Sequence, residues 1–141
     1  MKIAIINGPN LNLIGVREPE IYGNRSFDQM MTDLQSTFPG VAFIYFQSNI
    51  EGELINEIQK RGFDCDGIIL NPGGYTHTSV AIGDAVASIT VKVIEVHLSN
   101  IMGREEFRKI SHISAKAMGV ISGLGMKGYE LAVQYFVSNI D

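Results

Sequence analysis

His97 and Glu95 stand two residues apart at the end of the apolar run Val91 to Val96. In a strand that spacing puts both side chains on one face. A carboxylate beside an imidazole sets its tautomer and favours its charged form, which makes His97 a candidate general acid. The competing reading is a buried histidine satisfied by a neighbour. Arg17 and Tyr22 share a polar stretch near the N-terminus. A phenol with a pKa of about 10 is a poor base at neutral pH, but a nearby guanidinium favours the phenolate. The pair could supply a general base; a packed Tyr22 and a solvated Arg17 are the plainer alternative.

A third group follows Pro72-Gly73-Gly74: Asn71 before it, then Thr76, His77, Thr78 and Ser79 behind it. These side chains could orient hydroxyls on a ligand, and helix capping by Thr78 or Ser79 is compatible with that role. Arg108 could bind polar ligand groups or lie on the surface. Asp84 sits among small and apolar residues in a helical stretch. A buried acid needs a partner, so Asp84 is expected at a subunit interface. His112 has no supporting pattern and reads as structural. Three widely spaced histidines without Cys/His pairs give no metal motif. Cys65, the single cysteine, lies between Asp64 and Asp66, which disfavour a thiolate; it reads as structural, in a reducing compartment.

The elements that must position these residues follow from the apolar pattern. Ile3–Ile6 and Gly67–Leu70 are short continuous apolar runs, the mark of strands buried on both faces. Val41–Gln47, Val91–Val96 and Val120–Ser122 complete five expected strands. Helices are expected after Ser26 as N-cap, with Phe27, Met30, Met31, Leu34 and Phe38 at helical spacing, and at Glu51–Lys60. Further helices are expected at Ser79–Ser88, with Val80, Ala81, Ala85 and Val86 inward, at Arg104–Arg108 and at Tyr129–Val137. This alternation predicts a parallel sheet with helices on both faces. The candidate site segments 7–23, 71–79 and 95–108 all follow expected strands, where α/β sheets bind ligands. The stretch 66–79 reads as the floor of a site for a small anion, with backbone N–H groups and a helix start turned toward it. Residues 7–25 exceed the usual βα loop and suggest a functional loop, such as a lid.

The chain has 141 residues, enough for one domain with a sizeable core, and is 45% hydrophobic and 18% charged. The net charge of −4 without a Lys/Arg cluster argues against a nucleic-acid surface. No apolar segment approaches the roughly 20 residues of a membrane span, and no signal peptide is visible. A cytoplasmic protein is expected.

Five segments together resemble the type II 3-dehydroquinate dehydratases. They are Asn7-Gly8-Pro9-Asn10-Leu11-Asn12-Leu13 with Arg17-Glu18-Pro19 and Tyr22-Gly23; Gln47-Ser48-Asn49 with Glu51-Gly52; Asn71 through Ser79; Glu95 through Asn100; and Arg104 through Arg108. The resemblance implies one flavodoxin-like catalytic domain over residues 1–141, a three-layer sandwich with sheet order 2-1-3-4-5. It implies conversion of 3-dehydroquinate to 3-dehydroshikimate without metal or organic cofactor, in aromatic biosynthesis or quinate breakdown. In that family's pattern Tyr22 is the base, Arg17 lowers its pKa, and Asn10 holds a water at the enolate. His97, oriented by Glu95, protonates the departing hydroxyl. Asn71 and the backbone N–H groups of Leu98 and Ser99 bind the carboxylate, and His77 and Arg108 hold ring hydroxyls. Asp84 comes from a neighbouring subunit of a homododecamer of four trimers. The histidine at 112 and the apolar Ile110 depart from the usual pattern, outside the catalytic set.

Three rivals are weaker. A flavin or nucleotide binder would need a Ser/Thr-rich cradle after the first strand, which is missing. A phosphoacceptor receiver needs acids where Asn7 and Asn71 stand. A Schiff-base dehydroquinase needs a buried lysine, and Lys2, Lys60, Lys92, Lys109, Lys116 and Lys127 all lie outside the motif segments.

Overall fold

The computed structural model describes residues 1–16, 20 and 24–139. Strands β1 (Lys2–Asn7), β2 (Ala42–Gln47), β3 (Gly67–Asn71), β4 (Val93–His97) and β5 (Gly119–Ser122) form one parallel sheet, ordered β2-β1-β3-β4-β5. This is the sheet order that the resemblance implied. Four α-helices occur among the described residues: α1 (Phe27–Thr37), α2 (Glu51–Arg61), α3 (Val80–Ser88) and α4 (Lys127–Ser138).

The continuous apolar strands serve two cores. Ile3, Ile5, Ile69, Ile94 and Val96 face α1 and α4, meeting Phe27, Met30, Leu34, Tyr129, Ala132, Val133 and Phe136. Their alternating neighbours Ala4, Ile6, Ile68, Leu70 and Val93 face α2 and α3, meeting Leu54, Ile58, Ile82, Ala85 and Val86. Side chains of a strand point to opposite faces in turn, so a strand buried on both sides needs apolar residues at every position.

Ser26 caps α1 through a reciprocal pair. The Gln29 N–H donates to Ser26 Oγ at 3.2 Å, and the Ser26 N–H donates to Gln29 Oε1 at 3.0 Å. The expected inward face of α3 needs correction. Val80 and Ala81 are exposed, and Ile82, Gly83, Ala85 and Val86 are buried. Ser79 is the N-cap, accepting from the Ile82 N–H at 2.9 Å. The i, i+3, i+4 stripe that meets the sheet therefore starts at Ile82. The expected helix at 104–108 is instead two 3-10 turns, Ile101–Gly103 and Glu106–Lys109, with Arg104 between them.

The loops after β1 and β3 meet backbone to backbone. The Gly8 N–H donates to Asn71 O at 2.7 Å. A Cβ on Gly8 would stand 2.3 Å from the Pro72 carbonyl oxygen. Gly73 has φ +61°, a conformation that favours glycine, and a Cβ there would meet Pro9 O at 3.0 Å.

Candidate active site

A cavity opens at the carboxyl ends of β1, β3 and β4. The β1/β3 pair is where the chain order of the sheet reverses, the place where open α/β sheets bind ligands. Asn10, Asn71, His77, His97, Leu98, Ser99 and Arg108 all line it, joined by Pro9, Leu11, Ile14, Gly73, Gly74, Ile101 and Arg104. Two guanidiniums and no carboxylate are among these described lining residues, so the cavity favours an anionic ligand.

His97 ends β4, and its Nε2–H donates to Glu95 Oε1 at 2.7 Å. Glu95 is fully buried beneath it. Burial pushes the Glu95 carboxyl up, but hydrogen bonds from His97, Ser114 and Ser111 outweigh it and hold the group below the ordinary glutamate range. The engaged Nε2 leaves Nδ1 as the His97 ring nitrogen for a ligand.

His77 lies on the 3-10 turn Gly73–His77, with its ring stacked 6.4 Å from that of His97. Phe107 meets it edge-on at 5.9 Å. Burial lowers the His77 pKa, an effect partly opposed by the Ile110 carbonyl, and the neighbouring His97 and Arg108 lower it further. A neutral His77 donates from Nδ1 to Ile110 O, 2.7 Å away, so its Nε2 is an acceptor. That acceptor suits a ligand hydroxyl.

Asn10 has φ 70°, the left-handed region that asparagine tolerates better than most residues. Its N–H donates to Asn49 Oδ1 at 2.9 Å. Asn71 ends β3 as a buried residue: its Oδ1 accepts from the Gly73 N–H at 3.1 Å, and its Nδ2 donates to Tyr129 Oη at 3.0 Å. Tyr129 in turn donates to Asn7 Oδ1 at 2.7 Å. Arg104 Nη1 donates to Ser99 Oγ at 3.3 Å, and Arg108 pairs with Glu105 while lying over the Phe107 ring.

The residues that the sequence singled out are thus largely brought together, with instructive exceptions. Arg17 and Tyr22 lie outside the described residues. Asp84 is exposed on α3, where Lys116 Nζ lies 3.3 Å from its Oδ1, and it does not line the cavity of its own chain. Thr78 and Ser79 also stay out of it, because the 3-10 turn carries the chain away before α3 begins. The expected helix start is therefore not at the cavity; the 3-10 turn is. Cys65 is half-buried with its thiol pushed up to about 12, mainly by burial, which suits an inert residue. His112 donates its backbone N–H to Thr76 O.

Arg104, Ser111, Ser114 and the Asn7–Tyr129–Asn71 chain received no role from sequence. Arg104 had a signal, since it stands four residues before Arg108 in a matching motif. The serines and Tyr129 had none, because their partners are 16, 19 and 58 residues away. Among the described residues no cluster of three or more His, Cys, Asp or Glu side chains could hold a metal ion. No helix of the described residues is long and apolar enough to cross a membrane.

Known proteins match the chain over nearly its whole length. The 3-dehydroquinate dehydratase of Fusobacterium nucleatum is 49% identical, over 97% of this chain and 97% of its own. That of Legionella pneumophila is 49% identical, over 99% and 98%. A crystal structure of the type II dehydroquinase of Butyrivibrio crossotus superposes with a TM-score of 0.93 at 45% identity, covering 97% of each chain. The profile of the family described as Dehydroquinase class II matches residues 1–137, and with it the chain belongs to that family.

Proposed function

We propose that this chain is a hydro-lyase that dehydrates 3-dehydroquinate reversibly to 3-dehydroshikimate, by anti elimination through an enolate. The observation that carries the reading is His97, backed by a buried carboxylate, in a cavity lined by two guanidiniums and no described carboxylate. Its family membership supplies the substrate class.

In this reading the Tyr22 phenolate, stabilised by Arg17, takes the proton from the carbon beside the ketone. The electron pair moves into the enolate, whose oxygen is met by a water held on Asn10. The enolate then collapses, the carbon–oxygen bond to the departing hydroxyl breaks, and Nδ1–H of His97 supplies the proton that makes water. Glu95 steadies the imidazole throughout. The Leu98 and Ser99 N–H groups and Asn71 would hold the substrate carboxylate. The His77 acceptor and the Arg108 donors would hold ring hydroxyls. Exclusion of water from the cavity would strengthen these interactions. The reading requires no metal or organic cofactor, and one catalytic domain spans residues 1–141.

The assembly in this reading is a homododecamer of four trimers, with Asp84 reaching the cavity of a neighbouring chain. Its exposure within one chain agrees with that role. A cytoplasmic location fits aromatic biosynthesis or quinate breakdown.

The direct test adds 3-dehydroquinate to the purified protein and follows the ultraviolet absorbance of the conjugated enone. Tyr22→Phe should cut turnover by roughly 10²–10⁴-fold with substrate affinity largely kept; full activity in that variant would rule out the assigned base. Sedimentation should show a twelve-chain species, and a fully active monomer would contradict the shared site. Borohydride added with substrate should leave the protein active, because no imine forms.

A further inference from the structure

The Glu95 carboxylate has more donors than the orientation of His97 requires. Its Oε1 accepts from His97 Nε2 at 2.7 Å and from Ser111 Oγ at 3.1 Å, and its Oε2 accepts from Ser114 Oγ at 2.5 Å. Ser111 Oγ also accepts the backbone N–H groups of Ile113 at 3.1 Å and Ser114 at 3.0 Å. A hydroxyl has one proton and two lone pairs. With two N–H groups aimed at its lone pairs, the Ser111 proton is committed to Glu95. Neither serine lines the cavity.

We propose that Ser111 and Ser114 are positioning residues for the proton transfer, their hydroxyls holding Glu95 as a carboxylate so that the proton it shares with His97 stays on the imidazole. The proposal rests on the reading of His97 as the general acid. A buried pair in contact titrates as a unit. When His97 gives up its proton, the pair is left with a buried negative charge, and two hydroxyl donors stabilise that state. They make the pair a stronger acid. Without them the shared proton shifts toward the carboxyl, and the Nδ1–H then belongs to a neutral imidazole, a far weaker acid. His77 stacks on His97, and Arg104 and Arg108 share the cavity lining with it, while Lys116, on the loop that carries the serines, pairs with Asp84. The strand neighbours of Glu95 in register are the apolar Leu70 and Val120.

The test is the pH dependence of kcat for the wild-type protein, Ser114→Ala and Ser114→Thr. Removing the donor destabilises the deprotonated pair, so the alkaline limb of Ser114→Ala should move up by about one pH unit, with a plateau roughly 10-fold lower. KM should stay near wild type, and Ser114→Thr, which keeps a hydroxyl, should restore the limb. A loss that is equal at every pH, with the limb unmoved, would make the serines merely structural and overturn the proposal. So would a threonine variant that behaves like alanine. Carbon-13 NMR of the wild-type protein, labelled at glutamate carboxyls, tests the same idea without a variant. Glu95 should titrate below the ordinary glutamate range, and a neutral Glu95 at pH 7 would overturn the proposal. A wild-type protein that does not turn over 3-dehydroquinate would instead tell against the activity itself.

Discussion

His97 owes its chemistry to where its proton is held. Glu95 occupies Nε2, which leaves Nδ1 as the ring nitrogen that the proposed mechanism uses, and the buried carboxylate cannot be reached by water. His97→Ala should lower kcat by roughly 10²–10⁴-fold. Stability should fall by about 1–3 kcal/mol in denaturant melts, since the buried Glu95 loses a hydrogen-bond donor. The same carboxylate ties stability to pH. Its folded pKa lies below its unfolded value of about 4.3, so its contribution is present above that pH and is lost as pH falls through the folded value. Between about pH 5 and 3 the wild-type protein should therefore lose more stability than Glu95→Gln, as urea titrations at each pH would register.

The loops that carry the site are held by contacts specific to their elements. Gly8 lets the loop after β1 lie against the Pro72 carbonyl. Gly8→Ala would push that loop off its neighbour and shift Pro9 and Asn10 at the cavity. A cost of about 1–3 kcal/mol and reduced turnover are expected from thermal melts and steady-state assays together. Ser79 is the contrasting case, because it caps α3 beyond the cavity. Ser79→Ala should cost about 1 kcal/mol while kcat/KM stays close to wild type. If both variants lost activity alike, the separation between the 3-10 turn and α3 would be wrong.

At the scale of the whole molecule, α4 supports the site from beneath the sheet. Tyr129 is fully buried in the core that α1 and α4 share, and its hydroxyl joins Asn7 of β1 to Asn71 of β3. Burial drives its pKa far up, so it remains a neutral phenol. Tyr129→Phe would leave both amides short of a partner inside the core. A loss of about 1–3 kcal/mol in stability should follow in thermal or urea unfolding. Because Asn71 is also a cavity residue, KM should rise with it.

Much of this was legible in the sequence. Continuous apolar strands and Ser26 as an N-cap announced the alternating α/β pattern, since strands buried on both faces and capped helices leave local signatures. The motif segments named most of the residues that line the cavity, because each follows a strand and strand ends converge in such sheets. Only the tertiary structure decided what touches what. His77 and His97 stack although 20 residues apart, and Ser111 and Ser114 reach back to Glu95. Arg104 joins Arg108 on the cavity wall, while α3 turns Val80, Ala81 and Asp84 outward. Spacing along a chain reports only the local period of an element. Which side chains share a proton or a charge depends on how the elements close around one another, and that closure is set by packing across the two faces of the sheet.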